Sequence, residues 1–514
     1  MDFITSKNPA TGEEILRQEC FNPTEMTNLV QRARLAQEPW RRLSFKERAK
    51  FLKRGQQYML AHMDELALNL AKNNGKPLVE ALSAEVFASI QTYGFAMKRA
   101  EKLLTDTPIH IGGGLLTKKA YITYQPLGVL GIISPWNYPL STPFSEVILG
   151  LIAGNAIILK PSEITGLVNQ DMQKIIDAMK LPKDLVTLVH GRGDVGAALA
   201  SAKVDRLIFT GSTTTGRKIM STASQNLTPV TLELGGKDCM IVLEDCNIEL
   251  AASAAVVGGF FNTGQTCCSV ERLLIHENIV DPFLKAYKEK LNKLRVGASS
   301  GFENDLGAIT FEGQKKIYFE QTQDHVSHNQ KTVFGDANFD GKSNFMKPLV
   351  VQADDKRSFW KDETFGPVVA YKTFKTDEEA ISINNDSPYG LTALIISGNT
   401  SRARKMAKHL QVGAVVINDA PFTNACATLP WGGVGESGFG RVHGEAGLKE
   451  LCQQRLVVYD IVGQMKQLWW YPYNKAQYDF FKALAYFTAG DGLFVKLKAL
   501  INILKHIFKM GPRI

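Results

Sequence analysis

Hydrophobic positions change their spacing twice along the chain, and the changes mark out its parts. Over the first hundred residues, apolar side chains recur at helical intervals among Ala, Leu, Glu and Lys. This spacing predicts helices over 24–37, 45–74 and 76–103, broken at Pro39 and at Gly75 with Pro77. They read as amphipathic scaffold, and no chemistry is assigned to them. Residues 117–125 then alternate as an exposed strand does, and strands so placed often pair with another subunit. From Leu127 onward, short apolar runs without alternation take over. Residues 127–133, 155–159, 186–190 and 206–209 read as buried strands, with a helix-like segment at 145–152 and loop plus helix over 191–201. Strand, loop, helix, strand is the grammar of an α/β parallel sheet, which binds ligands at the carboxyl ends of its strands. Those ends carry Ser-Pro-Trp-Asn-Tyr-Pro (134–139), Lys-Pro-Ser-Glu (160–163) and Thr-Gly-Ser-Thr (210–213).

Composition narrows the class. A chain of 514 residues with 45% hydrophobic content can bury two or three domain cores. Its seven cysteines, Cys20, Cys239, Cys246, Cys267, Cys268, Cys426 and Cys452, are too thinly spread for a disulfide framework, which points to a reducing compartment. No basic stretch followed by an apolar run opens the sequence, so a cytoplasmic location is expected. Of the net charge of +8, residues 465–514 supply +6, from eight Lys or Arg against Asp479 and Asp491. The body is nearly neutral and has no nucleic-acid footprint.

Three stretches carry candidate chemistry. Phe-Phe-Asn-Thr-Gly-Gln-Thr-Cys-Cys-Ser (260–269) holds two adjacent cysteines. Neighbouring Cα atoms stand about 3.8 Å apart, below the span a disulfide prefers, so the thiols serve another purpose. After a small, apolar helix-like run at 251–261, Asn262, Thr263 and Gly264 supply cap and turn residues. A turn entering a helix N-terminus would lower the pKa of a nucleophilic Cys267. Taken alone, the decapeptide reads better as two inert core thiols, and the rest of the chain decides against that. Glu233, at an apolar strand end before Gly235 and Gly236, would have a raised pKa and room to move, as a general base needs; a Glu paired with a nearby Lys is the alternative. Gly-Arg-Gly-Asp-Val-Gly (191–196) matches the spacing of a dinucleotide loop but lacks the acidic residue about 20 positions on, because Asp205 comes too early. It reads better as a tight turn.

Six motifs, taken together, resemble the aldehyde dehydrogenase superfamily in order and approximate spacing: Pro-Trp-Asn-Tyr-Pro (135–139), Leu-Lys-Pro-Ser-Glu (159–163), Phe-Thr-Gly-Ser (209–212), Leu-Glu-Leu-Gly-Gly-Lys (232–237), Gly-Gln-Thr-Cys (264–267) and Glu-Thr-Phe-Gly-Pro (363–367). The resemblance covers roughly 7–462. It implies a Rossmann-type NAD-binding domain split over 1–116 and 127–235, a catalytic domain at 236–441 and an oligomerisation element from 117–126 and 442–464. It further implies Cys267 as nucleophile, Glu233 as the base that hydrolyses a thioester, and Asn137 with the Cys267 backbone N–H as oxyanion hole. For the cofactor it implies Lys160 and Glu163 at the adenine ribose, Gly211 and Ser212 at the pyrophosphate, and Glu363 with Phe365 at the nicotinamide ribose. Trp136 is grouped with these, although strand-end packing or lining the substrate entrance suits it too. Glu163 would repel a 2′-phosphate, so NAD is expected over NADP. No metal is expected, and the likeness implies a homo-oligomer. With Cys267, Glu233 and Asn137 all present, a non-catalytic role is disfavoured. The glycine-rich stretch 430–441 resembles the family's C-terminal loop.

The tail departs from the commonest family pattern. Leu493, Phe494, Leu497, Leu500, Ile501, Leu504, Ile507 and Phe508 fall on one helix face, with Lys498, Asn502, Lys505 and Lys509 mostly on the other, after an aromatic cluster at 468–473. No run is long enough to span a membrane. Two readings stand: an interfacial anchor on the cytosolic face of a membrane, or a helix packed on protein. The tail is similar in kind to the extensions of fatty aldehyde dehydrogenases, which implies medium- or long-chain aldehydes; a small polar aldehyde such as succinic semialdehyde is the alternative.

Overall fold

The computed structural model describes residues 2–112, 117–298, 301–463, 467 and 469–509, with side chains through 506. The apolar runs form five parallel strands of the first sheet, β1 (Val129–Ile133), β2 (Ala156–Lys160), β3 (Val186–Leu188), β4 (Arg206–Thr210) and β5 (Val230–Glu233), ordered β5-β4-β1-β2-β3, and the short strand Gly438–Phe439 adds antiparallel to β5 as the sixth. β1 and β2 are buried at every residue, which is why they show no alternation. Helix α1 (Ser141–Ala153) joins them, starting earlier than its apolar core suggests, and ends at Gly154. The left-handed φ of +100° there requires glycine. Helix α2 (Thr213–Ser224) follows β4. Order and connections match the Rossmann-type arrangement.

The second sheet comprises β6 (Asp238–Val242), β7 (Val270–His276), β8 (Thr332–Phe334), β9 (Leu349–Gln352), β10 (Val368–Phe374), β11 (Thr392–Ile396) and β12 (Ala414–Ile417), ordered β8-β9-β10-β7-β6-β11-β12. Only β8 runs antiparallel to its neighbour. Cores on its two faces are built from Val, Leu, Ile and Phe. All seven cysteines are free.

A separate unit combines 104–125 with 454–514. In it the strand Lys118–Pro126 lies between Thr107–Ile109 and Cys452–Asp460. It is a central strand with both neighbours from its own chain, so the open edges belong to Cys452–Asp460 and Thr107–Ile109. Two helices follow, α3 (Lys475–Ala489) and α4 (Leu493–Lys509). Asn474 and Gln477 close α3 with a reciprocal capping box. The helices pack through Phe480, Ala483, Leu484 and Ile503. Ala499 and Ile503 therefore form the buried stripe of α4, while Leu493, Phe494, Leu497, Leu500, Ile501 and Leu504 are exposed, Phe494 by 88%. Lys466, Leu468, Arg513 and the side chains of Ile507, Phe508 and Lys509 lie outside the described residues. No described helix is long and apolar enough to cross a membrane.

Two expectations about the first hundred residues are corrected. Pro39 does not break its helix but sits in the last turn of Met26–Arg41, where it removes one backbone hydrogen bond just before the helix ends. Nor are these helices mere scaffold. Lys76 and Glu85 are both fully buried and 2.6 Å apart. Lys76 Nζ also donates to the Asn137 carbonyl at 2.8 Å and lies 4.1 Å from the centre of the Tyr138 ring. Glu85 Oε2 accepts the N–H groups of Leu140 and Ser141 at 3.0 and 2.8 Å, satisfying amides at the start of α1. The pair clamps the turn after β1. A second buried pair, Lys237 and Glu271, does the same for 363–365, since Glu271 accepts the N–H groups of Thr364 and Phe365.

Removing one partner of a buried pair costs about 3–5 kcal/mol because the other charge is stranded. Lys76→Met is expected to lower stability in equilibrium denaturation by that order. Lys76→Met/Glu85→Gln, which keeps an acceptor for the α1 amides, is expected to recover a large part of it. Equal losses in both variants would mean that the two residues do not act as a charge pair.

Candidate active site

The helix Ile248–Phe260 runs into a strained turn. Asn262 and Thr263 both take left-handed backbone, at φ 52° and 56°, a conformation that costs about 1–3 kcal/mol for a β-branched residue. Its contacts hold it: Asn262 N–H donates to Glu80 Oε2 at 2.9 Å, Thr263 Oγ1 donates to the Gly307 carbonyl at 3.2 Å, and Gln265 Oε1 accepts from Thr310 N–H at 2.9 Å. A Cβ on Gly264 would lie 2.2 Å from the Gly366 carbonyl oxygen, so only glycine fits. Cys267 follows, and the chain then enters β7. The thiol thus lies between a helix C-terminus and a strand, and the helix N-terminus expected from Asn-Thr-Gly is not there. Cys268 is buried, and its hydrogen bond with Cys267, followed by burial, raises it well above the usual thiol range.

Cys267 opens into a cavity of about 210 Å³ that reaches solvent. Asn137 and Glu233 line the same cavity. Asn137 Nδ2 donates one hydrogen to the Gln265 carbonyl at 3.2 Å, which sets the amide against the Cys267 turn, and the Tyr138 hydroxyl bonds Thr266 Oγ1 at 2.8 Å. Glu233 is the last residue of β5. Both its carboxyl oxygens are buried without a partner, so the paired-Glu alternative is excluded. Burial first, then the nearby Cys267 and Glu146, raise Glu233 well above the carboxylate range, against a smaller opposing effect of Arg441. A thiol facing a proton-avid carboxyl and an amide donor can form and hydrolyse an acyl intermediate.

Other predicted residues collect at the strand ends. Trp136, Gly211, Ser212, Glu363 and Phe365 line the cavity. Ser212 caps α2 by accepting Thr215 N–H at 3.3 Å, and Gly211 N–H donates to the Glu233 carbonyl at 3.0 Å. Glu363 accepts Gly236 N–H at 3.0 Å; burial, then Glu271, push it up to about 8. The Trp136 and Phe365 rings meet edge to face at 5.5 Å, with Phe365 at φ 55°. Lys160 and Glu163 pair at 2.7 Å at the end of β2, outside the cavity lining. Asp205 is committed elsewhere, accepting Val129 N–H at 2.7 Å and Arg34 Nη1 at 2.8 Å.

Sequence reasoning missed Lys76, Glu85, Lys237 and Glu271, which fix the loops, and Glu146 and His443, which line the cavity. A signal existed for Glu146, since it opens the run Glu-Val-Ile-Leu-Gly-Leu-Ile-Ala, where a lone carboxyl has no solvent face.

Comparison with known proteins agrees with this geometry. The model of the aldehyde dehydrogenase family matches residues 2–457. A 4,4′-diapolycopene aldehyde oxidase from Methylomonas sp is 34% identical over 96% of this chain and 92% of its own length. The peroxisomal aminoaldehyde dehydrogenase 1 of Pisum sativum is 36% identical over 81% of this chain and 84% of its own. Among solved structures, the NAD+ complex of an aldehyde dehydrogenase from Bacillus cereus superposes with a TM-score of 0.84 at 31% identity, covering 90% of this chain and 94% of that one. With a thiol, a buried carboxyl and an amide meeting in one cavity, and a family match running almost end to end, this chain belongs to the aldehyde dehydrogenase family.

Proposed function

We propose that this chain oxidises medium- or long-chain apolar aldehydes to carboxylic acids with NAD, through a thioester on Cys267. The Cys267 sulfur adds to the aldehyde carbon. The second N–H of Asn137 and the Cys267 backbone N–H receive the oxyanion, and one such donor is worth about 3 kcal/mol. Bound NAD supplies the hydride acceptor. Glu233, once ionised, takes a proton from water as the water oxygen attacks the thioester, and the C–S bond breaks to restore the thiol.

The residues present fit the cofactor. The first turn of α2, capped by Ser212 beside Gly211, suits a pyrophosphate. Lys160 and Glu163 suit ribose hydroxyls, and the Glu163 carboxylate disfavours a 2′-phosphate. Glu363, pushed up to about 8, can donate or accept at the second ribose, with Trp136 and Phe365 beside it.

The observation that carries the substrate class is the cavity wall. Ala84, Ala88, Ala425 and Ala427 leave it wide, and among the described residues lining it there is no Lys or Arg to hold a second carboxylate. That counts against succinic semialdehyde. The relative matched over 96% of this chain is named for 4,4′-diapolycopene aldehyde, whereas the aminoaldehyde enzyme matches 81%. One observation favours a cationic aminoaldehyde instead, the Glu146 carboxyl in the wall. The exposed apolar stripe of α4, with Lys496, Lys498 and Lys505 around it and Trp469, Trp470, Tyr471 and Tyr473 exposed before α3, suits an anionic lipid surface. The exposed edge Cys452–Asp460 suits pairing with a second copy.

Two measurements test this reading. NADH production by the full chain should rise in kcat/KM with aldehyde chain length, exceed that on succinic semialdehyde or an aminoaldehyde, vanish in Cys267→Ala, and increase with pH as Glu233 ionises. A preference for the charged aldehydes would overturn the substrate class. In flotation with vesicles containing an anionic phospholipid, the full chain should bind and Leu497→Asp/Ile501→Asp should not, with turnover of a short aldehyde unchanged. Equal flotation of both would remove the lipid role of α4.

A further inference from the structure

The cavity holds a second carboxyl. Glu146 lies on the α1 face that also presents Ser141, Thr142 and Ser145 to the cavity shared by Cys267 and Glu233. It is 4% exposed, and only burial acts on it, pushing it up to about 8, with no hydrogen bond or ion pair to offset that burial. A partnerless buried carboxyl costs stability, and an apolar side chain would fill the same space without that cost.

A chain of contacts runs from Glu233 to Ser145, the residue before Glu146. A Cβ on Gly432 would lie 2.9 Å from Glu233 Oε1, and Arg441 Nη1 spans the same hairpin to the carbonyls of Gly433 and Gly440. Trp431 and Val442 pair across that hairpin, which leads into His443. His443 Nε2 meets Ser145 Oγ at 3.0 Å, and Ser145 donates to the Thr142 carbonyl at 2.8 Å. Ser145 must therefore accept from His443, which fixes the Nε2–H tautomer and leaves Nδ1 a buried lone pair without a partner. Burial pushes His443 down to about 4, so it stays neutral. The titratable or charged groups around Glu146 are then Glu233, Cys267, His443, Tyr138, Glu363 across the cavity, and Arg441 behind Glu233. Among the described residues, none of the lining groups is a cation that would keep Glu146 permanently ionised.

We propose that Glu146 receives the proton that Glu233 takes from the hydrolytic water, resetting the base for the next turnover. The inference rests on the thioester reading above. In the step, a water O–H bond breaks, the oxygen bonds to the thioester carbon and the proton passes to Glu233. The C–S electron pair returns to Cys267. The new O–H on Glu233 then breaks as the ionised Glu146 gains the proton, through water in the cavity, and Glu146 releases it toward solvent. Glu146, pushed up to about 8 by burial, is basic enough to accept a proton and weak enough to release it near pH 8.

The test compares first-turnover and steady-state NADH formation in the full chain and in Glu146→Gln, Glu146→Asp and Cys267→Ala. In Glu146→Gln the first turnover should keep its rate while kcat falls about tenfold or more, leaving a burst that matches the number of sites. The rise of kcat near pH 8 should disappear, added imidazole buffer at constant pH should restore part of kcat, and Glu146→Asp should retain most of it. An unchanged kcat and pH profile in Glu146→Gln would overturn the inference. So would a parallel loss of first-turnover rate and kcat that neither buffer nor Glu146→Asp relieves, since that is the mark of packing. Absence of Cys267-dependent NADH in the unmodified chain would instead sink the thioester reading itself.

Discussion

A buried charge costs several kcal/mol unless its opposite is buried with it, and this chain buries two Lys–Glu pairs to hold its site. Lys76 and Glu85 grip the turn that carries Asn137, and Lys237 and Glu271 grip the one that carries Glu363 and Phe365. Each pair spends its remaining hydrogen-bonding capacity on the loop it holds, mostly on backbone groups, with Lys237 also reaching Thr364 Oγ1. Loops with fixed amides and carbonyls can present side chains to a cavity without rearranging during reaction, which is what electrostatic stabilisation of an oxyanion needs. The strained Asn262–Thr263 turn depends on the same support, through Glu80 and through the Asn137 carbonyl that Asn262 shares with Lys76.

Inside that frame the cavity is acidic in composition but close to neutral in charge. Glu146 and Glu363 are each pushed up to about 8, mainly by burial, Glu233 is raised well above the carboxylate range, and among the described residues no Lys or Arg lines the wall. Protons are therefore easily exchanged in a space that suits an uncharged substrate, and a carboxyl that is neutral at rest becomes a strong base when it ionises.

Much of this was legible in the sequence, and the gaps have physical causes. Continuous apolar runs located β1, β2 and β4 to within two residues, because a strand covered on both faces has no polar position to break the run. Glu233 was legible from its strand-end position before two glycines. The local structure at Cys267 was misread because Asn, Thr and Gly serve helix starts and left-handed helix exits alike, and only the packing of 262–264 against Glu80 and Gly366 decides between them. Lys76 and Glu85 look like any charged pair on a helical surface, since nothing local says which face is covered. In α4 the periodicity showed an apolar stripe but not its direction, and the smaller stripe of Ala499 and Ile503 is the one packed inward.

The central claim is that Cys267 carries an acyl group that only Glu233 removes efficiently. The most direct measurement is intact and peptide mass spectrometry of Glu233→Gln, quenched in acid after incubation with NAD and a medium-chain aldehyde. The predicted result is one acyl group per chain, on the peptide containing Cys267, persisting long after the unmodified chain has cleared it. Turnover of Glu233→Gln at the unmodified rate with no adduct, or an adduct on another residue, would contradict the account.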